Sequence, residues 1–381
     1  MSVSGKRILV IGAGIVGAAC AWALVRGGHR VTVLDGYSPG SGATAAGMGH
    51  IVVMDDSPAQ LQLTRYSQEL WLELAPQLPA AAEYVQSGTL WLAADAQEMD
   101  LAEKKAALYQ SCRIAARMVL PAELSVLEPH LRPGLAGALL VPADAVVYSP
   151  AVAAWMIDQV GHGGGTVKIG APVTGLAAGH VTLADGQTLE ADVIVVATGT
   201  EISELLPELS VRPRKGHLVI TDRYPGFAKH QLVELGYLKS AHATDADSVA
   251  FNIQPRATGQ LLIGSSRQFG AESGQVDHAI VRAMLRRAFS YMPELSGLAA
   301  LRIWSGFRAA SPDHLPFIGP VPGRPGIYAV GGHEGLGITS SLGSAMLIAD
   351  LIAGQSTHID AAPYLPARFQ SAGSLQEAPR G

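Results

Sequence analysis

The stretch Gly12-Ala13-Gly14-Ile15-Val16-Gly17 constrains the fold more than any other part of this 381-residue chain. It sits within an uncharged run from Ile8 to Val25 that follows Lys6-Arg7. An apolar run behind basic residues also describes an export signal, so the flanks must decide. Ile8-Leu9-Val10-Ile11 has strand character and stops at Gly12. Ala18 to Leu24 suits a helix and stops at Gly27-Gly28. Arg30-Val31-Thr32-Val33-Leu34-Asp35 is then a second strand ending in an acid. Strand, glycine turn, helix, strand and acid are the context of a dinucleotide-binding fingerprint. A signal segment needs no glycines at fixed offsets, so the run is read as part of a fold. Gly12 permits the tight turn, Gly14 lets backbone N–H groups approach a pyrophosphate, and Gly17 lets helix and strand pack closely. The helix N-terminus favours the phosphates, and Asp35 is placed to accept from ribose hydroxyls.

Composition narrows the remainder. The chain is 48% hydrophobic and 15% charged, which describes a globular protein long enough for two interleaved domains. Its net charge is −5 without a basic run, which argues against a nucleic-acid partner. Cys20 and Cys112 are the only cysteines, and their spacing implies neither a disulfide framework nor a metal site. No second apolar run is long enough for a membrane span. These features predict a soluble, cytoplasmic protein, with membrane attachment left to partners. The small, polar residues 366–381 are read as a flexible tail.

Further along, "SPGSGATAAGMGHIVVMDD" (38–56) is rich in small residues that allow close approach to a flat ligand. Leu61, Leu63, Tyr66, Leu70, Trp71 and Leu74 repeat like the buried face of a helix, and 101–120 reads as one exposed helix. Asp185-Gly186 marks a hairpin. Val193 to Val196 is a buried strand that ends at Ala197-Thr198-Gly199 and returns to the first sheet. Residues 214–293 alternate strands with a helix near 279–291, as in a ligand-covering antiparallel sheet. Strand 327–330 leads through Gly331-Gly332-His333 into a helix expected to be capped by Thr339-Ser340-Ser341 and stopped by Gly354. Tyr148 and Tyr237 are assigned to the core or a pocket wall.

Three ordered blocks resemble the FAD-dependent amino-acid and amine oxidoreductases, the family of glycine oxidase, sarcosine oxidase and D-amino-acid dehydrogenases. They are the fingerprint with "SGATAAGMG", "ADVIVVATG", and "WSGFRAASPDHLPFIGP…GIYAVGGHEGLGI". The resemblance implies an α/β (α+β) fold: a Rossmann-like FAD-binding domain (1–87, 145–213 and 302–365) with an inserted antiparallel-sheet substrate domain (88–144 and 214–301). It implies non-covalent FAD held by Ile15, Val16, Asp35, Gly36, Ser41, Gly42, Thr44, Ala45, Ala46, Gly47 and Met48. Val173, Ala197, Thr198 and Gly199 join them, as do Gly332, His333, Glu334, Gly335, Leu336, Gly337, Ile338 and Thr339. Arg308 falls on the residue that binds a substrate carboxylate. Asn252 replaces a glycine-oxidase tyrosine near the carboxylate and is a candidate donor to a substrate hydroxyl or carboxylate, and Gly335 replaces a family arginine. Gly306 stands where monomeric sarcosine oxidase tethers its flavin to cysteine. His50 replaces a small residue at the pocket mouth, and is open between pocket wall and packed histidine.

"TAAGMGHIVVMDD" further resembles the FAD subunits of D-hydroxyproline dehydrogenases. The expected reaction is hydride transfer from the α-carbon of a small amino or imino acid to flavin N5, on D-hydroxyproline or D-proline type substrates. The alternatives are a glycine/sarcosine-type oxidase using O2, an electron-transfer subunit of a heteromeric complex, and a tRNA-modifying oxidase. Expected partners are an iron–sulfur or second flavin subunit, or a quinone or other respiratory acceptor. No general base is assigned.

Overall fold

The computed structural model describes residues 5–236 and 247–369. Tyr237 and residues 370–381 of the expected tail lie outside the described residues; the first four residues of that tail instead form a 3-10 turn, Pro366–Phe369, with Pro366 buried and Arg368 Nε donating to Asp313 Oδ2 at 2.7 Å.

The first β-strand, Arg7–Ile11, is central. It pairs in parallel with Arg30–Asp35 on one side and Val193–Val196 on the other. The sheet continues to Thr166–Ile169 beyond the former and Ile327–Gly331 beyond the latter, both parallel, and Phe317–Pro320 closes it antiparallel. Strand Val193–Val196 is buried at every residue, as a parallel strand covered on both faces should be. The chain leaves the first strand toward opposite sides, so the sheet has its switch point there. Ligands of open parallel sheets bind beyond the strand C-termini at such a point.

Helices Ile15–Arg26, Pro58–Leu74, Ser149–His162 and Gly337–Ala353 cover this sheet through one apolar cluster. Ala18, Ala19, Cys20 and Ala21 lie buried within it. The run that imitates an export signal is thus a strand and a helix of the core. The helix ends at Gly27, whose N–H donates to Ala23 O at 2.9 Å. Among the described residues no helix is long and apolar enough to cross a membrane.

A second sheet, eight-stranded among the described residues, runs in the order 300–310, 212–221, 261–267, 248–255, 231–234, 89–93, 137–141 and 117–119. It is antiparallel except where Gln231–Glu234 lies parallel to Thr89–Ala93. Leu90, Leu92, Leu232, Phe251 and Ile253 point to one face, against Met284 and Ala288 of helix His278–Tyr291. On the opposite face, Trp91, Leu139, Val141 and Val233 pack against Val52, Val53 and Met54 and against Ala102, Ala106 and Tyr109. Strand Ala300–Ala310 belongs wholly to this second sheet, paired with Arg212–Thr221 from Arg212↔Ala310 to Thr221↔Ala300. The boundaries expected at 302 and 213 therefore fall inside strands. A strand can start in one domain's text and hydrogen-bond in the other's sheet, and composition does not mark the crossing.

Two further expectations are corrected. Residues 101–120 are not one exposed helix: the helix is Ala96–Ser111, with Ala102, Lys105, Ala106 and Tyr109 buried. Arg113 at φ 60° turns the chain out of it, and Arg117–Val119 is a strand. Thr339, Ser340 and Ser341 do not cap the last helix, which begins at Gly337. Their hydroxyls have other work: Thr339 Oγ1 donates to His50 O at 3.0 Å and accepts from Val52 N at 3.2 Å, and Ser341 Oγ donates to Ile338 O at 2.9 Å. The hairpin at Asp185-Gly186 joins His180–Leu183 to Thr188–Glu190. The stop at Gly354 has the expected left-handed form, with φ 67°.

Candidate active site

One cavity of about 800 Å³ opens beyond the switch point and extends between the two sheets. It is within the range of small-molecule sites. One end is built almost wholly from backbone. Gly12 has φ 106°, and a Cβ there would lie 2.5 Å from Ala197 O. A Cβ on Gly17 would lie 2.0 Å from Gly12 O, so only glycine lets the helix sit on the turn. Ile15 N donates to Thr44 Oγ1 at 3.0 Å. Asp35 receives Ala13 N at 2.6 Å and Tyr37 N at 2.7 Å, which fixes its carboxylate beside the glycine turn. The N-terminal residues of two helices, Ile15-Val16 and Gly337-Ile338, line the same cavity. Both bring partial positive charge toward an anionic ligand.

The other end lies against strands 212–221 and 300–310. Gly306 faces the short helix Ala43–Ala46 so closely that a Cβ would lie 2.2 Å from Ala46 Cβ. Trp304 Nε1 donates to Ala46 O at 3.1 Å across the same contact. A cysteine tether at 306 does not fit this packing. Neither cysteine lines the cavity, and burial pushes the Cys20 thiol up to about 12.

Arg308 lines the cavity, and its Nη1 donates to Ser266 O at 3.0 Å. Glycines make its room. A Cβ on Gly216 would lie 2.5 Å from Nη1, and one on Gly335 would lie 3.1 Å from Cδ. The loop beyond strand 327–331 is held in place by Glu334 N donating to Ala309 O at 2.8 Å and by ion pairing of Glu334 with buried Arg214. His333 Nε2 pairs with Ser344 Oγ at 2.9 Å, and burial lowers its pKa to about 4. Burial lowers that of His50 to about 3. Both imidazoles are therefore neutral near pH 7 and add no charge beside a ligand. His217, buried in the same wall, is also held below the usual histidine range, first by burial and then by Lys215.

Almost every residue expected at the site lines this one cavity, His50, Asn252, Val173 and Gly199 included. Three do not. Gly17 packs beneath the turn, Ala45 is exposed to solvent, and Thr339 is buried behind His50. Tyr148 is 41% exposed and is not among the lining residues, because its ring carries the Arg256 guanidinium at 4.6 Å. Sequence reasoning missed Trp91, His217, Gln231 and Glu201, which also line the cavity. Glu201 was legible as the acid just past Ala197-Thr198-Gly199. The other three lie on strands with no distinguishing motif.

The comparisons with known proteins agree with this geometry. The family described as "FAD dependent oxidoreductase" matches residues 7–351. The chain belongs to that family. It is 27% identical to the glycine oxidase of Geobacillus kaustophilus over 372 residues, covering 94% of this chain and 95% of the relative. It is 26% identical to a D-amino acid dehydrogenase of Xanthobacter autotrophicus, covering 96% and 100% of the two chains. The crystal structure of glycine oxidase from Geobacillus kaustophilus superposes with a TM-score of 0.85 at 26% identity, covering 95% of this chain and 99% of that one. The cofactor of this FAD-dependent oxidoreductase is FAD, and the chain's residues fit it. The glycine turn and two helix N-termini suit a pyrophosphate, and Asp35 suits a ribose.

Proposed function

We propose that this oxidoreductase oxidises small α-amino or imino acids, with the substrate carboxylate held by Arg308. The observation that carries this reading is Arg308 itself, a guanidinium on the cavity wall with glycines 216 and 335 cleared around it. A planar fork with several N–H donors matches a carboxylate and fixes the carbon next to it. FAD, when bound, would take the hydride that leaves that carbon, and a neutral amine would become an iminium ion. The chain's part is placement. Arg308 orients the substrate, neutral His50 and His333 keep positive charge from accumulating beside it, and the two sheets exclude water. The flavin contacts we propose are the cavity-lining residues of the glycine turn, the 36–48 loop, Val173, 197–199 and 332–338. The activities named for the glycine oxidase and the D-amino acid dehydrogenase support an amino-acid substrate.

The narrower reading is a dehydrogenase for D-configured cyclic imino acids such as D-hydroxyproline or D-proline, passing electrons to a partner subunit or respiratory acceptor. It rests on the "TAAGMGHIVVMDD" resemblance and on Asn252 in the wall. A ring amine needs little ordering on binding. The test is reduction of an artificial dye without oxygen by a panel of amino and imino acids of both hands, repeated in air. Dye reduction by D-proline analogues with little peroxide in air is expected. Rapid peroxide from glycine or sarcosine, with no dye reduction by the imino acids, rejects the narrower reading. No reduction by any carboxylate-bearing amine rejects the proposal.

A further inference from the structure

The second sheet contains a polar patch that neither flavin nor carboxylate binding uses. In register, Val233 lies beside Trp91 on one neighbour and Asn252 on the other, and Gln231 lies two residues before Val233. Directly paired residues share a face, as do residues two apart on one strand. Gln231, Val233, Trp91 and Asn252 therefore point the same way, and all four line the cavity. Trp91 and Gln231 are each only 2% exposed. Trp91 Nε1, Gln231 Oε1 and Asn252 Oδ1 are buried and have no hydrogen-bond partner among the described residues. Such atoms are seldom left unpaired, because each gave up water on folding. The indole is also held still. Lys105 Nζ lies 4.8 Å from the ring centres of both Trp91 and Tyr109 and pairs with Asp55, while Tyr109 donates to Val53 O at 2.8 Å.

We propose that Trp91, Gln231 and Asn252 form a floor that reads a hydroxyl group on the substrate. The floor presents one donor and two amide acceptors. A methylene satisfies none of them. A carboxylate has no proton for the amide oxygens, and an ammonium has no lone pair for the indole N–H. A hydroxyl donates and accepts at once, and it still does so if either amide turns over. A site built to hydrogen-bond a hydroxyl rejects the analogue that lacks it far more strongly than an apolar pocket rejects an extra one. The inference rests on the proposed function, since Arg308 must anchor the ligand for the floor to meet its far side.

Binding without turnover separates the two ideas. The FAD-loaded protein is titrated with tetrahydrofuran-2-carboxylate and with its 4-hydroxy derivative, in both hands, following the flavin absorbance. Neither ligand has a C–N bond to oxidise. The hydroxylated ligand of one hand is expected to bind at least about tenfold more tightly. Trp91→Phe, which keeps the ring, or Gln231→Met, which keeps the length, should bring that ratio toward one. Loss of the ratio in either variant supports the floor. Equal affinities in the wild type, no binding of either ligand, or a ratio that survives both substitutions overturns it. Parallel weakening of both ligands at an unchanged ratio also overturns it, because that marks packing alone. Dye reduction by amino acids judges the proposed function separately.

Discussion

The two ends of the cavity are made of different materials. The proposed flavin end is defined by main chain and by side chains that must be absent. Gly12, Gly17 and Gly306 each sit where a Cβ would meet another atom at 2.5 Å or less. The proposed substrate end is defined by side chains that are present: Arg308, Asn252, Trp91 and Gln231. They come from strands more than two hundred residues apart at the extremes, and several bury polar atoms without a partner among the described residues. The contrast teaches where each kind of fault should appear. A fault at the first end is steric and removes the cofactor. A fault at the second end is electrostatic, leaves the cofactor bound, and changes what is oxidised or how stability responds to pH.

The largest effect should follow Gly17→Ala. The new methyl would stand 2.0 Å from Gly12 O, a backbone atom that cannot move without opening the turn. We expect destabilisation of at least about 2 kcal/mol, at the upper part of the range for overpacking, together with substoichiometric FAD. Flavin absorbance per protein and a denaturant titration measure both. A variant that keeps full FAD and wild-type stability would show that helix and turn can separate, and the contrast would collapse at its first end.

Asp144 should give the next effect. It is fully buried beneath the substrate end, its Oδ1 accepting from Gln68 Nε2 at 2.7 Å and from Val53 N at 3.3 Å. Burial raises its pKa to about 7 from the usual 3.8, against weaker lowering by its hydrogen bonds. A raised carboxyl pKa contributes stability that is complete below about pH 4 and is lost as pH rises through about 7. Asp144→Asn keeps the acceptor and removes the titration. Relative to wild type, the variant should gain roughly 2 kcal/mol between pH 5 and pH 7, close to the one-proton limit. Unfolding curves at the two pH values check this. An equal stability difference at both would mean that Asp144 stays charged in the fold.

Arg308→Ala should retain FAD and lose at least about tenfold in kcat/KM on a carboxylate substrate, which is about 1.4 kcal/mol. Arg308→Lys should also be impaired, because an ammonium cannot reproduce the fork. The loss should shrink for an amine without a carboxylate. Steady-state kinetics on the best acid and its decarboxylated analogue would settle it. Unchanged kinetics in the alanine variant would place the carboxylate clamp elsewhere.

The dinucleotide half was legible from the chain because its determinants are local. Gly12, Gly14, Gly17 and Asp35 lie within one strand–helix–strand unit, and short-range geometry dictates glycine wherever a Cβ has no room. Arg308 was legible only through its resemblance to the family. The register of the second sheet was not legible. Nothing in the text around residue 302 says that strand 300–310 leaves the flavin segments to pair with 212–221. Thr339, Ser340 and Ser341 look like caps in sequence, yet Thr339 is claimed by the backbone of His50 and Val52, far away in the chain. Asn252, like Arg308, was singled out only through the resemblance, and Trp91 and Gln231 carry no motif, since alternation shows only that a strand has two faces. The sequence by itself determined the first strand–helix–strand unit and its backbone cradle, where steric exclusion acts over a few residues. Only the tertiary structure decided which polar side chains share the cavity, because that depends on strand pairing between distant segments and on which buried atoms the fold leaves unpaired.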